Sequence, residues 1–196
     1  MPRRRREVVP NYPYHIVQRG HNKQKVFHSE TDYQKYYTLL MTISREEKVI
    51  IQSYCLMPNH IHHLLIPETT DGLALTMRRI NITYTHYYNR KYQRLGTLWQ
   101  GRYYSSIVDK DSYLWIVSRY VERNPVRAGI VEEPEQYKWS SARFSLGLER
   151  NFILDNRWWL NGSDKHAYAK FLKEKEREEE IYEITYRSFK NQPLKN

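Results

Sequence analysis

Two short spacings bring together residue types that can act on a phosphate. In His60-Ile61-His62 the histidines are two residues apart, so on a β-strand both imidazoles leave one face and Ile61 the other. Two imidazoles so placed can converge on one divalent cation, or they can be two surface histidines. His63 falls on the opposite face, as a structural or exposed residue. Tyr120 and Asn124 are four residues apart, one helical turn, and share a face. The amide oxygen of Asn124 can join the imidazoles around the ion. Tyr120 then sits one turn away, close enough to attack a phosphate held there. The plainer alternative packs Tyr120 in the core and uses Asn124 to cap the helix before Pro125.

The chemistry open to such a set is phosphoryl transfer. A phosphodiester repels an attacking phenolate, and a cation on its nonbridging oxygens offsets that repulsion and fixes the in-line geometry. Tyrosine, with an ordinary pKa of about 10, must shed its proton before it attacks well. Attack joins the chain to the phosphate and frees a sugar hydroxyl. The phosphotyrosine conserves the bond energy, so another such hydroxyl can reverse the step. No dedicated general base stands out. Tyr113, seven residues before Tyr120, shares nearly the same face, but the position four beyond it is Val117, so Tyr113 reads as core. Tyr103 and Tyr104 suit base stacking and packing equally.

The elements that must position these groups follow from periodicity and breakers. Tyr12–Gln18 reads as a strand, with Arg19-Gly20-His21-Asn22 as the turn leaving it. Thr31–Glu47 has helical spacing. Val49–Met57 is β-branched and strand-like; Pro58-Asn59 breaks it, and His60–Ile66 is the adjacent strand. A second helix spans about Gly72–Gln93, and Gln100–Asp109 is a fourth strand. A third helix runs from Lys110 or Asp111 to Arg123 and stops there because Pro125 disfavours helical geometry at Asn124. The order β-α-β-β-α-β predicts an α+β fold: a ferredoxin-like, split βαβ antiparallel sheet, then a tyrosine-bearing helix and a C-terminal helical extension. The organisation expected is a basic arm (1–11), a catalytic domain (12–145) and an extension (146–196). The extension holds Trp158 and Trp159 and a charged helix near 164–190, whose KEKEREEE run reads as a solvated face.

Composition narrows the partners. The 196 residues carry 32 Lys+Arg against 22 Asp+Glu, a net charge of +10, and 18 are tyrosine. Clustered cations favour a phosphate backbone through counterion release, and tyrosine rings stack on unpaired bases, so nucleic acid is the expected partner. Arg3, Arg4, Arg5 and Arg6 in the arm, and Arg78, Arg79, Arg90 and Lys91 on the second helix, are candidates for phosphate contacts. One cysteine, Cys55, excludes an internal disulfide framework. No apolar run approaches a membrane span and the N-terminus lacks a signal-like stretch, so a soluble, cytoplasmic protein is expected.

Taken in order, these segments resemble a known family. PNHIHHLL matches the HUH (histidine, hydrophobic, histidine) signature, and RYVERNPVRAG resembles the tyrosine helix of single-tyrosine HUH transposases. LGTLWQGRYYSS and YKWSSAR are similar to stretches of the REP-associated tyrosine transposases, relatives of the insertion-sequence-200 type. The resemblance covers roughly residues 12–145. It implies His60 and His62 as metal ligands, Asn124 as a third, weaker ligand, and Tyr120 as nucleophile. Mixed imidazole and amide ligation is compatible with Mg²⁺ or Mn²⁺ as cofactor, the imidazoles leaning towards Mn²⁺. The substrate implied is single-stranded DNA folded into imperfect palindromic hairpins, cleaved and rejoined through a 5′-phosphotyrosine. Arg19, Gly20 and Arg102 lie in family-like segments and are candidates for contacting the hairpin foot or its flanking bases. The chain would act as monomer or homodimer. The competing reading is a ferredoxin-like module that binds DNA or RNA hairpins as a regulator, without catalysis.

Overall fold

The computed structural model describes residues 7–109, 113–150 and 163–195. Arg3–Arg6, the Trp158–Trp159 pair and the expected start of the third helix lie outside them. The chain runs β1 (Tyr14–Arg19), α1 (Glu30–Glu46), β2 (Val49–Met57), β3 (His60–Pro67), α2 (Gly72–Lys91), β4 (Tyr104–Ile107). The sheet order is β2-β3-β1-β4, and every neighbouring pair is antiparallel. This is the split βαβ arrangement expected from the sequence.

Local chemistry explains the boundaries. The Pro58-Asn59 pair closes the tight β2–β3 hairpin. α1 starts where Asp32 Oδ2 accepts from the Ser29 backbone N–H at 3.0 Å, half of a capping box. β4 is shorter than the expected Gln100–Asp109 strand. Gly101 sits at φ 67°, which ends extended geometry, and β1 supplies ladder partners only for Tyr104–Ile107. At Gly20 the constraint is space rather than dihedral: a Cβ would stand 2.3 Å from the Gln24 carbonyl oxygen and 2.8 Å from Val26 Cγ1.

Beyond β4 come α3 (Leu114–Glu122), α4 (Asn124–Arg127), α5 (Ala142–Ser145), α6 (Ser163–Lys173) and α7 (Glu178–Lys190). Pro125 sits in the first turn of α4, where its missing N–H costs nothing, so the chain breaks at Arg123 and restarts. The single charged helix expected near 164–190 is two helices, parted at 174–177, and its acidic run is not a purely solvated face. Glu176 turns inward, 7% exposed, to pair with Arg127 and with Arg123 at 3.4 Å. Glu180 meets Arg119 at 2.6 Å. These pairs lock the extension onto α3 and α4.

Each face of the sheet has its own core. α1 and α2 cover one, burying Tyr36, Leu40, Met77, Ile80 and Tyr84 against Ile16, Ile61 and Leu65. α3, with α6 and α7 beside it, covers the other, where Val117, Tyr120, Val121, Tyr168 and Ile184 join Cys55, Met57 and Leu64. Tyr36, Tyr84, Tyr88 and Tyr168 are among the largest fully buried side chains. Much of the tyrosine content is therefore packing material, not a base-stacking surface.

Candidate active site

Strand register decides which side chains meet. On β1 and β3, Val17 lies opposite His62, Arg19 opposite His60 and His15 opposite Leu64. Cross-strand partners share a face, so His15, Arg19, His60 and His62 all project towards α3. The His60 and His62 ring centroids are 5.0 Å apart, and the Tyr120 ring is 5.8 Å from His62 and 5.6 Å from His15. Nucleophile candidate and histidine pair meet within one chain. His63 goes to the opposite face, where its Nε2 hydrogen-bonds the Tyr36 hydroxyl at 3.1 Å.

The histidine pair is presented in a way that suits a cation. His60 Nδ1 donates to Asn59 Oδ1 at 2.6 Å, which leaves the Nε2 lone pair free. His62 Nδ1 is engaged by His15 Nε2 at 3.0 Å, again leaving Nε2 as the outward nitrogen. Burial, then the nearby Arg19 and Arg127 charges, pushes the His60 pKa down to about 4. Burial, then the neighbouring His60, His15, Arg127 and Arg19, holds His62 well below the ordinary histidine range. Both rings are thus neutral near pH 7, the state that ligates metal. Among the described residues no three His, Cys, Asp or Glu side chains gather for an ion. A cation would have to combine the two imidazoles with an amide and substrate oxygens, an open site rather than a closed cage.

Tyr120 is held at the end of α3. Its hydroxyl lies 3.1 Å from Thr185 Oγ1 on α7. The Arg127 guanidinium sits 4.0 Å from its ring centroid and donates to its backbone carbonyl at 2.6 Å. Asn124 Nδ2 donates to the carbonyls of Tyr120 and Val121 at 3.0 and 3.3 Å. The amide nitrogen therefore does the capping that the plainer sequence reading gave it, and the amide oxygen remains the candidate ligand atom.

The candidate DNA contacts separate. Arg19 lies on the histidine face, its guanidinium 4.3 Å from the Phe189 ring. Arg78 and Arg102, far apart in sequence, line one cavity of about 420 Å³ with Asn81 and Tyr103. Arg79 is engaged by Glu46 and Glu47, each at 2.5 Å, and Lys91 by Asp32 at 2.6 Å, so their charge is already compensated. Arg3–Arg6 lie outside the described residues.

Sequence reading missed His15, Arg127, Ser188 and Glu122. Period-2 alternation along Tyr14–Arg19 puts His15 and Arg19 on one face, but only the β1–β3 register shows that the face is the one bearing His62. The buried Glu122 carboxylate accepts from the hydroxyls of Ser141 at 2.5 Å, Ser145 at 2.7 Å and Tyr168 at 2.9 Å. The YKWSSAR motif thereby helps fix the tyrosine helix, since Ser141 N–H also donates to the β2 residue Tyr54 at 3.0 Å.

Known proteins share this frame. The family model of the IS200-like transposases matches residues 8–124. A Haemophilus influenzae protein provisionally assigned as a REP-associated tyrosine transposase is 29% identical over 97 residues, 44% of this chain. The chain spans about 55% of the length of that relative. A solved structure of a REP-associated tyrosine transposase bound to a REP hairpin superimposes with a TM-score of 0.64 at 20% identity, over 76% of this chain and 89% of that one. That likeness is one of fold. A structure from Deinococcus radiodurans, of a protein provisionally assigned as a transposase, matches over 62% of this chain and 96% of its own at 18% identity, with a TM-score of 0.38, too slight to argue from. Among the described residues no helix is long and apolar enough to cross a membrane.

Proposed function

The chain belongs to the family of IS200-like transposases, and on that premise we propose that it cleaves and rejoins single-stranded, hairpin-forming DNA. The observation that carries the reading is the meeting of the His60–His62 pair with Tyr120 under α3. A binding module has no need of a phenol beside two neutral imidazoles.

In this reading the Tyr120 oxygen attacks the scissile phosphorus, the 3′ oxygen leaves, and a 5′-phosphotyrosine forms. A 3′-OH from another strand then reverses the step, without an external energy source. His60, His62 and the amide oxygen of Asn124 would hold a divalent cation, Mg²⁺ or Mn²⁺. Bound there, the ion supplies Lewis-acid stabilisation of the nonbridging oxygens. The chain's own groups do the rest. Arg127, stacked on the Tyr120 ring, bonded to its backbone carbonyl and paired with Glu176, fixes the ring and the end of α3. Asn124 fixes the end of α3 and so the height of the nucleophile. Thr185 orients the hydroxyl until the phosphate replaces it as partner. Arg19, projecting from the same face as His60, suits the approach of the strand. Arg78 and Arg102, gathered at one cavity, suit backbone contacts that position DNA without reading it.

The test is a denaturing gel of the protein with labelled single-stranded hairpin oligonucleotides from its own gene flanks, with and without Mn²⁺ or Mg²⁺. The expected result is a metal-dependent adduct carrying the downstream 5′ end, lost in Tyr120→Phe by at least about 10³-fold with hairpin binding kept. Tight hairpin binding with no adduct under either metal would instead make this a non-catalytic hairpin-binding regulator.

A further inference from the structure

We propose that His15 is a positioning residue that sets the tautomer in which His62 faces a cation, and that Ser188 holds His15 in turn. The proposal rests on the reading of His60 and His62 as metal ligands. Both rings are buried, His15 at 0% exposure and His62 at 4%. They lie nearly coplanar, with an interplanar angle of 12° and 3.0 Å between His15 Nε2 and His62 Nδ1. On its far side His15 Nδ1 meets Ser188 Oγ of α7 at 2.8 Å. Three side chains from β3, β1 and α7 therefore form one buried hydrogen-bonded row.

Two neutral imidazoles that share one hydrogen bond allow two arrangements. In the first, His62 Nδ1–H donates to His15 Nε2, and His15 Nδ1–H donates to Ser188 Oγ. The His62 lone pair then sits on Nε2, pointing away from His15. In the second, every donor and acceptor is reversed: the Ser188 hydroxyl donates to His15 Nδ1, His15 Nε2–H donates to His62 Nδ1, and His62 carries its proton on Nε2. That form cannot ligate a cation. The row thus acts as a selector, because a cation at His62 Nε2 requires the first arrangement and His15 must be there to accept.

His60 reaches the same presentation by a shorter route, donating to its own neighbour Asn59. The two ligands therefore have separate orienting partners, one local and one reaching across the sheet. Groups that orient a ligating histidine in this manner typically change metal affinity about 10- to 100-fold when removed. The arrangement also gives the C-terminal helix a part in the site: Thr185 and Ser188, three residues apart on α7, touch Tyr120 and His15 respectively.

Mn²⁺ affinity of the full chain, measured by calorimetry or by the electron spin resonance of free Mn²⁺, tests this without reference to cleavage. His15→Phe, which keeps a ring but no acceptor, should weaken binding about 10- to 100-fold. His15→Gln, whose amide oxygen can accept from His62, should recover most of it, and Ser188→Ala should fall between. In His15→Phe, adduct formation should return as Mn²⁺ is raised, a behaviour that simple misfolding would not give. Unchanged affinity in His15→Phe, alongside lost affinity in His62→Ala, would overturn the proposal and leave the metal reading standing. Unchanged affinity in His62→Ala would remove both. Wild-type protein labelled with ¹⁵N-histidine gives a check that needs no variant. With saturating Mg²⁺, His62 should carry its proton on Nδ1 and His15 likewise; an Nε2–H on His62 would overturn the assignment.

Discussion

His62 and His63 are consecutive, both buried, and on opposite faces of one sheet. Burial pushes the pKa of each far down, to about 3 for His63 and well below the ordinary value for His62. What separates them is the company each face provides. On the α1–α2 face His63 meets the hydroxyl of Tyr36 and a core of aromatic rings. On the α3–α7 face His62 meets a second histidine, a tyrosine at the end of a short helix, and the cationic Arg127 and Arg19. A perturbed histidine is thus not by itself a mark of function. The mark is a neutral ring with an orienting partner on one nitrogen and room for chemistry at the other.

The largest effects should separate the two faces outright. His62→Ala should lower adduct formation by about 10³-fold, whereas His63→Gln should keep full activity per folded molecule. Loss of the adduct in a folded His63→Gln protein would break the comparison. The claim that the chemical face is complete in one chain is tested by mixing His62→Ala with Tyr120→Phe. No adduct above background should form, because neither chain holds a whole site; recovered activity would show that the tyrosine serves a partner's histidines. Smaller effects should appear as stability. Glu122→Ala removes the acceptor of three buried hydroxyls and should cost about 3 kcal/mol in denaturant unfolding. Tyr36→Phe leaves the His63 ring without that hydroxyl and should cost about 1–3 kcal/mol, with adduct formation unchanged.

The same contrast shows what the sequence could reveal. Strand and helix order was readable because breakers such as Pro58-Asn59 and Pro125 stand where elements end. The one-face placement of His60 and His62 followed from strand period alone. Whether α3 would lie over that face, and not another, is a tertiary fact, fixed by Glu122 with Ser141 and Ser145 and by the Arg119–Glu180 pair. His15 was invisible for a similar reason, since its value depends on a register between strands 47 residues apart in sequence. Charge pairing was equally out of reach: the sequence offers Arg79 as a phosphate contact, and only the fold shows that Glu46 and Glu47 pair with it in the free chain.

With 18 tyrosines in the chain, the identity of the one that carries the DNA is decisive. The direct measurement is tandem mass spectrometry of the nuclease-trimmed, proteolysed covalent adduct formed by wild-type protein in Mn²⁺. The geometry predicts a nucleotide phosphate on the peptide containing Tyr120 and on no other tyrosine. A modified Tyr113, Tyr104 or any residue of the opposite face would contradict it.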